Sequence, residues 1–150
     1  MSTPEPSMLA YFHYVWGQSL AYWGNRTLSK QLFRWAVNAY SRAARRAPEW
    51  SPPLLRRGVI RGRELNDYAG AVRDLSTVIA AEPAWADPYL QRGILHSFHS
   101  LQAAPQAVAD FKQFLEQADQ NHSWRPDAER LIERLQSDLT ERGWDTPSTQ

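Results

Sequence analysis

The chain has 150 residues, a net charge of +1 and no cysteine. This length suffices for one domain with a buried core. The lack of cysteine excludes a disulfide framework and a thiolate metal site, and it fits a reducing compartment such as the cytoplasm. No basic residue precedes the first apolar stretch, so no signal peptide is predicted. That stretch, residues 8–23, is too short and too polar to predict a transmembrane segment.

The near-zero net charge conceals a strong asymmetry along the chain. Residues 26–63 contain ten Lys and Arg side chains but only one carboxylate, Glu49. From Glu64 onward seven cations are outnumbered by fourteen anions. Such polarity can steer an acidic partner to the basic half, although arginines also simply solvate helix faces. Both interpretations of the basic stretch stay open at the level of sequence.

The first predicted element is a helix that follows a short disordered N-terminus, residues 1–6. Ser7 is expected to cap this helix, and apolar residues recur in it at three- and four-residue spacing. Gly24 and Asn25 are expected to end it at about Trp23 in a left-handed turn.

Six further helices are expected, and no segment shows the alternation of a strand. Thr27 or Ser29 is expected to start the second helix and Asn66-Asp67 to form the turn before the fourth. Ser51-Pro52 and Asp87-Pro88 are each a capping residue followed by proline, and Ser123 is expected to cap the last helix. The predicted ranges are about 28–47, 52–65, 68–81, 88–101, 104–119 and 124–142, followed by a flexible tail over 144–150.

One phrase recurs along the chain. Ala-x3-Tyr-x2-Ala-x4-Pro-x-Trp begins at Ala36, and a matching phrase begins 35 residues later at Ala71. A third copy begins at Ala107, and residues 55–60 match residues 90–95 over the same period. Periods of this size indicate stacked supersecondary units, none of which buries its apolar face alone.

These residues resemble the tetratricopeptide repeat (TPR), a helix–turn–helix unit in which small residues lie at the helix crossing and a proline ends the second helix. The resemblance implies an all-α, right-handed α-solenoid of three TPR-like helix pairs within a single domain, 7–143. The repeats are expected at about 7–48, 49–83 and 84–120. The helix over 124–142, apolar on one face and charged on the other, is expected to cap the stack.

In that family the first helix of each pair lines a concave groove, which holds a peptide or helix of another protein. Gly58 and Gly93 align the second and third copies, while Gly17 and Gly24 compete for the same position in the first copy, where Gly17 is used for the alignment. The groove residues implied here are Tyr11, Tyr14, Gln18 and Tyr22, then Arg56, Val59 and Arg63, then Gln91, Ile94 and Phe98. Aromatic rings beside arginines suit an acidic, amphipathic segment. Core packing at the open end of the stack explains several of the tyrosines equally well.

Some relatives hold a C-terminal carboxylate with a clamp of Lys, Asn and Arg side chains. The clamp positions here carry Tyr14, Gln18, Arg56, Asp87 and Gln91. Only Arg56 is a cation, and Asp87 would repel an anion, so this binding mode is not expected.

No motif for a catalytic nucleophile, a phosphate loop or a zinc protease occurs, so no catalytic residue or cofactor is predicted. His96 and His99 lie three residues apart but lack a third ligand, so they are expected to be surface or groove histidines rather than a metal site. The nearly neutral chain does not suit nucleic acid. The carboxylates are expected mostly on exposed helical faces or at helix caps.

The preferred interpretation is a cytoplasmic, non-enzymatic protein–protein interaction scaffold or adaptor. A first alternative is a self-associating structural module in which exposed Trp16, Tyr22 and Trp23 pair two copies, a homo-oligomer. A second alternative is a peripheral assembly factor whose basic half docks on an anionic membrane or membrane complex.

Overall fold

The computed structural model describes residues 5–143, and every regular element among them is helical. The all-α prediction is therefore confirmed over these residues. Residues 1–4 and 144–150, where disorder and a flexible tail are expected, lie outside the described residues. The helices are α1 Met8–Thr27, α2 Lys30–Arg46, α3 Pro52–Arg63, α4 Tyr68–Ala81, α5 Ala86–His99, a 3₁₀ turn Leu101–Ala103, α6 Ala104–Gln117 and α7 Arg125–Glu141.

The helices group into two compact units, Met1–Glu82 and Pro83–Gln150. In the first unit α1 packs along α2, α3 packs along α4, and α2 contacts α3. In the second unit α5 packs along α6, and α6 contacts α7. Helix pairing thus follows the repeat seen in the sequence, whereas the division into repeats within one domain over 7–143 stays a prediction.

The first helix is longer than its glycines suggest. The expectation that Gly24 and Asn25 end it is wrong, because α1 continues to Thr27 and the left-handed residue is Leu28, with a φ of 53°. Gly24 is buried inside α1, where an added Cβ would lie 2.9 Å from the Phe33 ring. The glycine therefore permits close packing of α1 on α2 instead of reversing the chain.

Two predicted helix caps are observed and three are not. The side chains of Ser7 and Ser29 accept backbone N–H bonds at the starts of α1 and α2, and Asp67, expected only as part of a turn, does the same at the start of α4. Three other predicted caps, Ser51, Asp87 and Ser123, make no such bond. The absence of a capping bond at each of these residues has a local cause.

Ser51 has helical rather than extended backbone angles, and proline follows it directly, so neither its orientation nor the first amides suit a cap. Asp87 lies inside α5, which begins one residue earlier, and its carboxylate is placed in the positive first turn instead. Trp124, not Ser123, occupies the capping position of α7.

Each unit has its own apolar core. In the first unit the core is built on Phe33, Ala36 and Tyr40 of α2, against which Leu20 and Ile60 pack. In the second unit the predicted stripe of α7 is buried at Ala128, Ile132, Leu135 and Leu139. The opposite side of α7 is largely exposed and charged, as a capping helix requires.

Candidate functional site

An open groove of about 360 Å³ lies between α1 and α3 in the first unit. Five of the groove residues expected from the sequence line it together: Gln18, Tyr22, Arg56, Val59 and Arg63. Its other lining residues are Ala21, Asn25, Phe33, Tyr40, Ile60 and Glu64. The groove thus has apolar and aromatic side chains within a mostly basic rim.

Helical spacing explains why these α3 residues meet. Arg56, Val59 and Arg63 are three and four residues apart, so they share one side of α3. Arg56 and Arg63 are exposed, and neither pairs with a carboxylate among residues 5–143. These two guanidinium groups are therefore available to an anionic partner, while Glu64 adds one negative charge at the rim.

The neighbouring arginines of α3 serve a different purpose. Arg57 binds Asp74 of α4 through two bonds, Nε to Oδ2 at 2.8 Å and Nη2 to Oδ1 at 2.6 Å. Arg61 donates to the same carboxylate from Nη1 at 2.9 Å. Arg57 also donates to Ser41 Oγ of α2 at 2.9 Å. This second arginine row is thus structural, and it joins three helices.

Tyr14 belongs to the packing of the unit rather than to the groove wall. Its ring lies 4.8 Å from the Trp50 ring and 5.8 Å from the Tyr40 ring, and it is half-buried. Tyr11 is exposed, and its ring contacts the Trp50 ring at 6.2 Å. Trp50 was not expected near the candidate site, although the repeated Pro-x-Trp phrase marks it. Core packing therefore explains Tyr14 but not the exposed Tyr11 and Tyr22.

Tyr40 forms an uncharged part of the groove. Burial raises the pKa of its hydroxyl well above the ordinary value, the neighbouring Tyr14 raises it further, and Arg56 opposes the shift. Because the hydroxyl stays neutral, it does not form an ion pair with the guanidinium of Arg56. A carboxylate that binds Arg56 would therefore not compete with a phenolate for it.

The remaining three predicted residues, Gln91, Ile94 and Phe98, belong to α5 in the second unit. They share one side of that helix at spacings of three and four residues. Gln91 and Ile94 are half-buried and Phe98 is 84% exposed. A role for them in partner binding stays a prediction.

The second unit repeats the buried ion pair. Arg92 binds Asp110 at 2.8 and 2.6 Å, and Asp110 is 4% exposed, as Asp74 is 5% exposed. The expectation of exposed or capping carboxylates misses both. The signal is nevertheless present, since each aspartate follows a repeat alanine by three residues and each arginine directly precedes a repeat glycine. Such a two-residue pattern predicts an ion pair only when it is known which helices pack together.

His96 is buried, so the expectation that it lies on the surface or in a groove is wrong. Its Nε2 lies 3.7 Å from Asp110 Oδ2. Burial lowers the pKa of His96, Arg92 and His99 lower it as well, and Asp110 acts in the opposite direction.

Over residues 5–143, no group of three His, Cys, Asp or Glu side chains is arranged to hold a metal ion. None of the helices described in the structure combines the length and the apolar character that crossing a bilayer needs.

Comparison with solved structures identifies the type of fold. No family model and no curated protein sequence matches the chain. Among solved structures, the first TPR of Spaghetti (RPAP3) bound to HSP90 peptide SRMEEVD superposes with a TM-score of 0.65 at 20% identity, covering 85% of this chain and 98% of that one. The Sgt2 TPR domain from Aspergillus fumigatus gives 0.65 at 16% identity, covering 89% and 87%.

The P58(IPK) TPR domain gives a TM-score of 0.74 at 21% identity and covers 89% of this chain, but the match spans only 34% of the P58(IPK) chain. At such identities the likeness concerns the fold and not the activity. Together with the glycine crossings and the helix pairs, it shows that this chain has a TPR-like α-solenoid fold.

Proposed function

We propose that this chain is a non-enzymatic interaction scaffold that binds an acidic, amphipathic segment of another protein in the groove between α1 and α3. The observation that supports this function is the pair Arg56 and Arg63, which flank Val59 and face Tyr22 across the groove. In the cytoplasm, such a module links proteins without altering them chemically.

Both apolar and charged contacts in the groove contribute to partner binding. Apolar side chains of the partner cover Val59 and the Tyr22 ring, and removing apolar surface from water contributes about 25 cal/mol per Å². Carboxylates of the partner accept charge-assisted bonds from Arg56 and Arg63. Because those arginines are exposed, they contribute more to association rate and specificity than to affinity.

A C-terminal carboxylate is not the expected ligand. The RPAP3 domain is bound to the HSP90 peptide SRMEEVD, but a carboxylate clamp requires cations at its defined positions. Tyr14 occupies one such position here, and its ring packs against Tyr40 and Trp50. The groove is therefore better suited to an internal segment than to a free chain end.

A peptide-display library selected on the full chain tests the proposal without a known partner. We expect the selected peptides to combine Asp or Glu with large apolar residues. Arg56→Glu with Arg63→Glu should weaken their binding more than tenfold, because two attractive contacts become repulsive, at about 1.4 kcal/mol for each factor of ten.

The matched control is Arg34→Glu with Arg45→Glu, an equal charge change on exposed positions of α2. It should leave peptide affinity within about threefold, since these positions do not line the groove. Selection of basic peptides, or equal losses in both double variants, would reject the groove as the binding site.

A direct comparison separates the two binding modes. SRMEEVD and the same peptide with an amidated C-terminus should bind this chain equally weakly by calorimetry. A clear loss on amidation would show that the terminal carboxylate is recognised, and it would contradict the preference for an internal segment.

A further inference from the structure

The side of α1 that points away from α3 corresponds to a stacking face. When the glycines of the first two repeats are aligned, Trp16 corresponds to Arg57 and Phe12 to Pro53. In the second repeat these positions are covered: Pro53 is buried and Arg57 donates to Ser41 on α2 of the preceding pair. In the first repeat the equivalent side chains remain exposed.

This exposed surface is aromatic. Leu9, Phe12, Trp16 and Trp23 of α1 are 45–59% exposed. We call these four residues the aromatic face. A repeat that ends a stack normally presents a polar outer side, as α7 does, because an apolar one invites association.

We propose that the aromatic face pairs with the same face of a second copy of this chain in an antiparallel, two-fold symmetric dimer. The spacing along α1 is self-complementary, since Leu9 and Trp23 each lie seven residues from Trp16. Two antiparallel copies centred on Trp16 therefore place Leu9 of one against Trp23 of the other. In a two-fold interface every such contact occurs twice.

The charges on α1 permit this pairing. The helix contains no Asp, Glu, Lys or Arg from Met8 to Asn25, so contacting copies of α1 bring no like charges together. Burial lowers the pKa of the adjacent His13, and Arg46 and Arg42 of α2 lower it further, which favours the neutral imidazole.

The exposed area is appropriate for a dimer. An aromatic side chain buries about 150–250 Å² when it is fully covered. The three rings of the face, each about half exposed, therefore offer roughly 300 Å². A stable interface of standard size buries about 800 Å² per partner. The rings supply more than one third of that, so Leu9 and polar side chains around the face must supply the rest.

Sedimentation of the full chain over a range of concentrations tests the dimer. We expect the native protein to be dimeric at micromolar concentration, and Trp16→Glu to weaken dimerisation more than tenfold. Phe98→Glu is the matched control, since it removes an even more exposed aromatic ring outside the face and should leave dimerisation unchanged. Circular dichroism checks that both variants stay folded.

Raising the salt concentration should leave the dimer intact, because no ion pair holds it together. Dissociation in salt would instead indicate head-to-tail pairing of the basic and acidic halves, and it would overturn the proposal. A native protein that is monomeric at all concentrations would overturn it too, including one that binds phosphatidylglycerol vesicles through Trp16.

Cysteine cross-linking tests the geometry, since the chain has no cysteine of its own. Under mild oxidation Trp16→Cys should form a disulfide-linked dimer by itself. Leu9→Cys and Trp23→Cys should cross-link when mixed but not separately, whereas separate cross-linking of each would indicate a parallel arrangement and reject the antiparallel one. None of these readouts depends on Arg56 or Arg63, so the dimer and the groove can fail independently.

Discussion

The first and second helix pairs cross over a glycine in similar ways, but their interiors differ. At Gly17 the Tyr40 ring occupies the space that a Cβ would need, at 2.7 Å. At Gly58 the neighbours are Leu75 at 3.1 Å and the Cβ of Asp74 at 3.2 Å. The glycine therefore sets the distance between the helices, while the side chains around it can change from aromatic rings to a buried ion pair.

This difference changes what the arginines can do. The second pair commits Arg57 and Arg61 to Asp74. The first pair, residues 7–48, contains no Asp or Glu at all, so its cations have no carboxylate within the pair. The first pair therefore combines exposed aromatic side chains with cations that have no carboxylate in the same pair.

The largest expected effect comes from removing the buried carboxylate of the second pair. Asp74→Ala leaves Arg57 and Arg61 without their shared partner, and breaking a buried ion pair in this way costs about 3–5 kcal/mol. We expect a loss at the lower end of that range, because the guanidinium groups are about one-fifth exposed. Urea unfolding of the full chain measures it.

Asp110→Ala removes the equivalent buried carboxylate in the second unit. Asp110 binds one arginine, Arg92, instead of two, so the loss should be smaller than for Asp74→Ala. Asp127→Ala on α7 is the control, because its pair with Arg130 is solvent-exposed and contributes about 0.5 kcal/mol. Equal losses for Asp74→Ala and Asp127→Ala would show that the buried network does not stabilise the fold.

A smaller effect is expected at the glycine crossings themselves. Gly17→Ala places a methyl group against the ring of Tyr40, which is 1% exposed and has no space to move away. Overpacking costs about 1–3 kcal/mol, and the higher helix propensity of alanine offsets up to about 1 kcal/mol. We expect a net loss of about 1–2 kcal/mol in thermal or urea unfolding.

Gly58→Ala should be nearly neutral, since its nearest contacts exceed 3.0 Å and the propensity gain is the same. A Gly58→Ala variant that is less stable than Gly17→Ala would contradict the prediction that the Gly17 crossing tolerates a methyl group less well.

The sequence predicts most of this architecture because the spacing of apolar residues and the residues that begin or end helices are local signals. Helix α4 is predicted to the residue, since the Asn66-Asp67 turn precedes it and Pro83 follows it. Gly24 misleads because a glycine that ends a helix and one that permits close packing look alike in sequence. The Asp74 and Asp110 pairs depend on which helices meet, and only the fold provides that information.

The candidate groove shows the same limit. Helical spacing correctly groups Arg56, Val59 and Arg63 on one side of α3. The same spacing cannot distinguish Tyr14, which packs on Trp50, from Tyr22, which lines the groove. The packing of Tyr14 depends on the loop that carries Trp50, and periodicity contains no information about loop paths.

A pH-dependent effect is expected at His96, which occupies in the third repeat the position of Arg61 in the second. Burial lowers its pKa below 6.5, assisted by Arg92 and His99 and opposed by Asp110. Acidification below about pH 6.5 therefore protonates His96 more readily in the unfolded chain than in the folded one, and stability falls in that range. Above it the contribution of His96 is constant.

His96→Gln should make the free energy of unfolding less dependent on pH between about pH 7 and pH 5, measured by urea titration at each pH. His13 contributes in the same direction, because its pKa is also lowered, so some pH dependence should remain in the variant. A steeper profile for His96→Gln would mean that Asp110 outweighs burial, and that the third repeat holds a charged imidazolium where the second holds Arg61.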